Sequence, residues 1–278
     1  MGALSANHGP SARCAYVTLV TNEDYTPGAI ALINSLRFTQ SHADIVILYT
    51  DGVTDSALAC FGAAGARTVK AQPLDVSDAF RARHERDRLH KAAPFLKGAK
   101  PNFHTPLDNF CKLRLWEMEE YEACVFVDAD TVVLRNIDVL FEYPEFAAAP
   151  NLYETLTDFH RQNSGVFTAK PSRTTFDSMM AALDAPDAYW RRTDQTFLEA
   201  FFPGWHGLPV FFNLLQYVWF NLPELWDWRS VRVIHYQYEK PWQENHPKAE
   251  RLAPLIDIWR TLYENKRPDV SALANPVS

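Results

Sequence analysis

Val125-Phe126-Val127-Asp128-Ala129-Asp130-Thr131-Val132-Val133-Leu134 is the stretch on which the reading of this chain turns. It opens as a short apolar run rich in β-branched and aromatic residues, the composition of a buried strand. Two carboxylates follow, separated by one small residue. Paired acids at the end of a buried strand are costly unless positive charge sits between them. The carboxyl ends of strands are also where ligands bind in open α/β sheets. A divalent cation carrying a phosphorylated substrate satisfies both conditions, because Mg2+ and Mn2+ take oxygen ligands and commonly hold only one or two carboxylates. An Asp pair capping a solvent-exposed turn is the alternative that the tripeptide leaves open.

Working outward, the 278 residues are 47% hydrophobic and 22% charged, which suits a folded α/β globule with a core that needs no disulfide or structural metal. A net charge of −7 argues against a nucleic-acid partner. Cys14, Cys60, Cys111 and Cys124 are scattered, with no zinc or redox spacing. No apolar run approaches the roughly 20 residues of a membrane span, and Met1 to Ala12 is unlike a signal peptide. These features lead to an expectation of a cytoplasmic protein. They also lead to a single domain over residues 13–266. Residues 1–12 and 267–278 are expected to be flexible tails.

Towards the N-terminus, Ala15 to Val20 reads as a first strand running into the polar loop Thr21 to Tyr25. Pro27 then opens a helix with Ala29, Ile30, Ile33 and Leu36 on one stripe. A strand at Ile45 to Tyr49, a helix near Ser56 to Phe61 and a strand at Arg67 to Lys70 continue an alternation that predicts a parallel sheet. The absence of a Gly-x-Gly-x-x-Gly turn disfavours dinucleotide binding. Ser77 to Lys100 is basic and reads either as an exposed helix ended by Pro94 or as a lid over anionic substrate. Phe110, Leu113 and Trp116 space as a helix, and Asn136 to Phe141 as a turn into a short one.

Towards the C-terminus, Asn163 to Thr168 reads as a turn into a strand, and Ser172 as the N-cap of a helix reaching Leu183. Thr193-Asp194-Gln195 has the signature of a helix start, and the stretch around Tyr217 reads as helix. The dense tryptophans Trp205, Trp219, Trp226, Trp228 and Trp242 read mainly as core. Val231 to Ile234 is a late strand that ends in His235, with Lys240-Pro241-Trp242 beyond it. Leu252 to Tyr263 is a closing helix. Two strands thus end in ligand-type residues. Imidazole suits Mn2+ better than Mg2+, and a nearby lysine can neutralise charge developing on a departing diphosphate.

In their order, Leu19-Val20-Thr21-Asn22 with Tyr25, Lys112-Leu113, Asp128-Ala129-Asp130-Thr131, Asn163-Ser164-Gly165-Val166-Phe167, Asp194-Gln195 and His235-Tyr236 with Lys240-Pro241-Trp242 resemble glycosyltransferase family 8, whose members include glycogenin and galactinol synthase. The similarity runs from Tyr16 to about Tyr263. It implies a GT-A fold, a Rossmann-like nucleotide-binding half (13–135) with a mixed central sheet fused to an acceptor-binding half (136–266). It implies a UDP-sugar donor of the UDP-glucose or UDP-galactose type, Mn2+ with Mg2+ as substitute, retention of anomeric configuration, and room for a homodimer. Carried over residue by residue, Asp128, Asp130 and His235 hold the metal, while Leu19, Thr21, Asn22 and Tyr25 line the uridine site. Lys112, Asn163 and Lys240 contact sugar or phosphates, with Ala129 and Ser164 also in the donor site. Asp194 and Gln195 lie near the anomeric carbon and, with Lys240, carry the chemistry.

The chain departs from glycogenin at Asn151 and Arg191, where acids touch the donor sugar there. Glycogenin's self-modified tyrosine aligns with Phe220, near Tyr217. Phe212 to Glu224 and the end of the chain look closer to galactinol synthase. The expectation is therefore transfer to a separate small polyol or carbohydrate acceptor, with self-glucosylation as the alternative. Two other classes fit parts of the sequence: a haloacid dehalogenase-type phosphatase with Asp128 as nucleophile, and a binding module without catalysis. The phosphatase motif normally sits on the first strand of its domain, and a downstream acidic pair is missing.

Overall fold

A computed structural model of the chain describes residues 13–92, 98–185 and 193–276. Its strands are β1 (Cys14–Asn22), β2 (Asp44–Gly52), β3 (Arg67–Lys70), β4 (Ala123–Val127), β5 (Thr131–Val133), β6 (Ala147–Pro150), β7 (Gln162–Ala169), β8 (His206–Gly207), β9 (Leu214–Leu215) and β10 (Val233–His235). The main sheet has the order β3-β2-β1-β4-β7-β6-β8, and a small sheet has the order β5-β10-β9. β3, β2, β1 and β4 are parallel, as alternating strands and helices require, and β7 then pairs antiparallel with β4. The sheet is therefore mixed, as expected. β4 is buried at every position, which explains its unbroken apolar run.

The helices are α1 (Thr26–Phe38), α2 (Asp55–Ala63), α3 (Asp78–Arg83), α4 (Arg86–Ala92), α5 (Arg173–Leu183), α6 (Asp194–Phe201), α7 (Val218–Asn221) and α8 (Ala253–Tyr263). α1 takes Pro27 in its first turn and buries Ala29, Leu32, Ile33 and Leu36. Ser172 caps α5 by accepting from Thr175 N. Trp219, Trp226 and Trp228 pack ring on ring in an apolar cluster with α8, so this group is core. No helix among the described residues is long and apolar enough to cross a membrane.

Asp108–Glu117 is the helix that its spacing predicts, and it is of the 3-10 kind. Its three-residue repeat stacks Phe110, Leu113 and Trp116 on the core, and aligns Asn109 with Lys112 on another face. Several expectations are corrected. The basic segment is not one helix. It breaks at His84, which is buried against Phe80 and accepts no solvent face; Pro94 and Lys97 lie outside the described residues. Asn163, Ser164 and Gly165 are part of β7 itself and not a turn before it. Around Tyr217 the helix is broken into the short α7 and 3-10 turns at Val210–Phe212 and Pro223–Leu225, with β9 between. The segment after Lys266 is not loose: Val270 and Leu273 pack on the tryptophan cluster. Trp228 also donates from its backbone N to Asn275 Oδ1 (3.1 Å) and from Nε1 to the Ala274 carbonyl (2.9 Å).

Candidate active site

The site forms where β4 ends. Asp128 N donates to the Gly165 carbonyl at 2.8 Å, which ties the strand end to β7. Thr131 closes a tight turn by donating from N (3.1 Å) and Oγ1 (2.8 Å) to the Asp128 carbonyl. The chain then reverses into β5, whose antiparallel partner β10 sets His235 opposite Thr131. This pairing brings an imidazole from residue 235 against carboxylates at 128 and 130. His235 Nε2 lies 3.3 Å from Asp130 Oδ1 and 3.9 Å from Asp128 Oδ2. Ligand atoms of Asp128, Asp130 and His235 all lie within 4.8 Å of one another.

The orientation of His235 is fixed from behind. Its Nδ1 lies 2.9 Å from Asn213 Oδ1, an acceptor, so Nδ1 carries a proton and the ring is held with Nε2 toward the carboxylates. Asn213 Nδ2 donates to Asn163 Oδ1, and Asn163 Nδ2 to Asn151 Oδ1, each at 2.8 Å. Gly165 N also donates to Asn163 Oδ1. A Cβ on residue 165 would overlap the His235 ring, so glycine is required by close approach and not by a turn.

Lysines compensate the acids. Lys112 Nζ sits 3.3 Å from Asp128 Oδ1 and 2.8 Å from Asp194 Oδ2, and Lys240 Nζ contacts Asp130 Oδ2 and the Tyr236 carbonyl. Burial pushes the Asp128 carboxyl up, against the pull of Lys112. Burial also opposes ionisation of Asp130, but Lys240 and His235 hold it well below the usual carboxylate range. Lys112 is buried too, yet Asp128 and Asp194 raise it above the ordinary lysine range. An O,O,N donor set with ammonium groups lying where positive charge is needed fits a divalent cation.

These groups open onto a cleft. Leu19, Thr21, Tyr25, Ala129, Lys112, Asp128, Asp130, His235 and Lys240 line it, with Lys100, His104, Asn109 and Gln237, which the sequence reading did not single out. Asn22 turns aside, its Nδ2 donating to the Phe103 carbonyl, while its buried Oδ1 has no partner among the described residues. Asp194, the first residue of α6, sits behind Lys112 and accepts from Ser164 Oγ at 3.0 Å. Gln195 Oε1 accepts from Ser164 N at 3.3 Å. Asn163 belongs to the amide chain behind His235. Arg191 lies outside the described residues. Lys100 ends the basic segment, the one signal that pointed to it; burial and Lys240 lower its ammonium pKa to about 8. Asn213 stands in an aromatic stretch with no periodic cue.

The family described as Glycosyl transferase family 8 matches residues 16–174. A putative UDP-glucuronate:xylan alpha-glucuronosyltransferase 5 of Arabidopsis thaliana is 34% identical over 240 residues, which are 83% of this chain and 37% of that protein. Glycogenin-1 of Homo sapiens is 31% identical over 248 residues, covering 86% of this chain and 65% of glycogenin. The chain thus spans about a third of the length of the xylan enzyme. Among solved structures, the galactosyltransferase LgtC bound to donor and acceptor sugar analogs superposes with a TM-score of 0.61 at 14% identity, over 92% of this chain and 97% of its own. The glycosyltransferase GlyE of Streptococcus pneumoniae TIGR4 gives 0.63 at 16% identity, over 94% and 61%.

Proposed function

Because the chain belongs to glycosyltransferase family 8 and has the GT-A fold of that family, we propose that it transfers a glycosyl group from a UDP-sugar to a separate carbohydrate or polyol acceptor, with retention of configuration. The observation that carries the reading is the convergence of Asp128, Asp130 and His235 within 4.8 Å, at a cleft also lined by Lys100, Lys112 and Lys240. Such a set binds a diphosphate and stabilises it as a leaving group.

In this mechanism Leu19, Thr21, Tyr25 and Ala129 form the uridine end, where the orphaned Asn22 Oδ1 offers an acceptor. Asp128, Asp130 and His235 would hold Mn2+, with Mg2+ as the substitute; when bound it supplies Lewis-acid charge to the donor phosphates. Lys240 and Lys112 neutralise charge on the β-phosphate as the glycosidic bond lengthens. Asp194, paired with Lys112 and accepting from Ser164, faces the sugar that becomes cationic as the donor bond breaks. Gln195 is anchored through Ser164 on the same side.

A separate acceptor follows from Tyr217 and Phe220. Tyr217 is buried and its hydroxyl donates to Glu239 at 2.6 Å, which commits the hydroxyl beside the position of glycogenin's acceptor. Phe220 has none. The phosphatase reading loses its ground, because the chain belongs to glycosyltransferase family 8 and Asp128 follows β4 rather than the first strand. The test is release of UDP from a panel of UDP-glucose, UDP-galactose and UDP-glucuronate, with Mn2+ and with EDTA. Metal-dependent turnover of one donor is expected. Hydrolysis of p-nitrophenyl phosphate with no UDP release would overturn the proposal, as would hexose addition to the chain lost in Tyr217→Phe.

A further inference from the structure

Glu239 is a buried carboxylate whose work lies outside the metal cluster. Three groups donate to it: Ala99 N at 3.1 Å, Lys248 Nζ at 2.7 Å and Tyr217 Oη at 2.6 Å. The first belongs to residues 98–105, a strap that crosses from this point to the end of β1. At the far end Thr105 Oγ1 donates to Thr21 Oγ1 (2.7 Å), Asn22 Nδ2 donates to the Phe103 carbonyl (2.8 Å), and Phe103 packs edge-on against Tyr25. The strap approaches Glu239 closely because residue 98 is glycine. A Cβ there would overlap the Tyr217 hydroxyl and lie 2.8 Å from the Tyr238 ring. Between the two anchors Lys100 lines the cleft, its ammonium 5.3 Å from the centre of the Tyr238 ring.

The charges explain why the strap's position matters. Asp128, Asp130 and Asp194 are opposed by Lys112 and Lys240, which leaves one acid in excess. Lys100 brings the three acids and three ammonium groups into balance, so a divalent cation and a doubly charged diphosphate can then enter together without leaving net charge in a buried cleft. A strap free at its Ala99 end would not hold that third ammonium in place. Negative charge on Glu239 suits the task, since it binds the strap through a backbone N–H while Lys248 balances it.

We propose that Glu239 is a positioning residue for donor binding: it pins the strap 98–105 across the cleft and so holds Lys100 at the diphosphate. This rests on the UDP-sugar reading above. The experiment is a double-mutant cycle on UDP affinity, measured by calorimetry with Mn2+, together with amide hydrogen exchange of the strap. Glu239→Ala and Lys100→Met should each weaken UDP binding about 10- to 100-fold, the range of a lost charged hydrogen bond. The double variant should be within about threefold of the weaker single one, because both act through the same ammonium. Exchange at Ala99 should accelerate in Glu239→Ala. If Glu239→Ala does not fold, Glu239→Gln keeps the size and one acceptor but loses the charge, and the same coupling is expected. Multiplicative effects, wild-type affinity in Glu239→Ala or Glu239→Gln, or unchanged exchange at Ala99 would each overturn the proposal alone. Failure of the wild-type protein to bind UDP with Mn2+ would overturn the donor reading, and the proposal with it, before any variant is compared.

Discussion

At the scale of single residues, the structure separates chemistry from helix capping at a place where the two are adjacent in sequence. Thr193 caps α6 through a reciprocal box with Thr196, and Asp194 inside it faces Lys112 and Ser164. Thr193→Ala should therefore cost about 1 kcal/mol of stability and leave kcat nearly unchanged. Asp194→Asn should lower kcat at least about 100-fold, the scale of one well-placed electrostatic group, and should also lower the melting temperature, because it removes the charge facing the buried Lys112. Steady-state kinetics and thermal melts on the two variants decide it; a fully active Asp194→Asn enzyme would return Asp194 to a structural role. Asn213 makes a second case. It holds a proton of His235 on Nδ1, so Asn213→Ala should weaken Mn2+ binding about 10- to 100-fold, read from the electron paramagnetic signal of free Mn2+ without reference to turnover.

At the scale of elements, the site is a product of strand ends. β1, β4 and β7, neighbours in the middle of the main sheet, each deliver residues at the same end of the sheet, and the β5–β10 pairing carries His235 to that end. Gly165→Ala tests how tightly these elements are packed. The added methyl has no room beside His235, and a buried strand relieves the overlap only by shifting, at about 1–3 kcal/mol. Thermal melting should show that loss, and Mn2+ affinity should fall with it as the imidazole is displaced. This strand also marks where sequence and structure part. β1, β2 and β4 were legible because burial on both faces writes continuous apolar runs. The acids at 128 and 130 stood out because charge after such a run is costly. Asn163-Ser164-Gly165 read as a turn because small polar residues usually make one, whereas here they satisfy buried partners inside a strand. Lys100 and Asn213 were hidden for a related reason: a side chain that serves a site from an irregular segment leaves no periodic trace.

At the scale of the whole molecule, three apolar surfaces meet on the second half of the chain: α8, the tryptophans of 219–228 and the returning segment 267–276. That last segment covers Trp228 and accepts its indole N–H. Ending the chain at residue 266 should expose the ring and lower stability by about 1–3 kcal/mol, from lost apolar burial and one buried hydrogen bond. Denaturant unfolding of the shortened and full chains measures it, and equal midpoints would show the segment to be dispensable. UDP affinity should be preserved in the same variant, because none of those residues reaches the cleft.

Lys112 and Lys240 already occupy the acids that would hold a cation. The protein therefore carries its own internal counter-ions, and a cation held as proposed above would enter by exchange of partners rather than by nucleating structure. Starvation for Mn2+ would leave a folded, idle enzyme instead of a degraded one, ready to resume as soon as the ion returns. Chelation should accordingly leave the circular dichroism spectrum intact and shift the melting temperature by only a few degrees, in contrast to domains that unfold without their metal. Collapse of the spectrum in EDTA would show that the lysines do not serve this purpose.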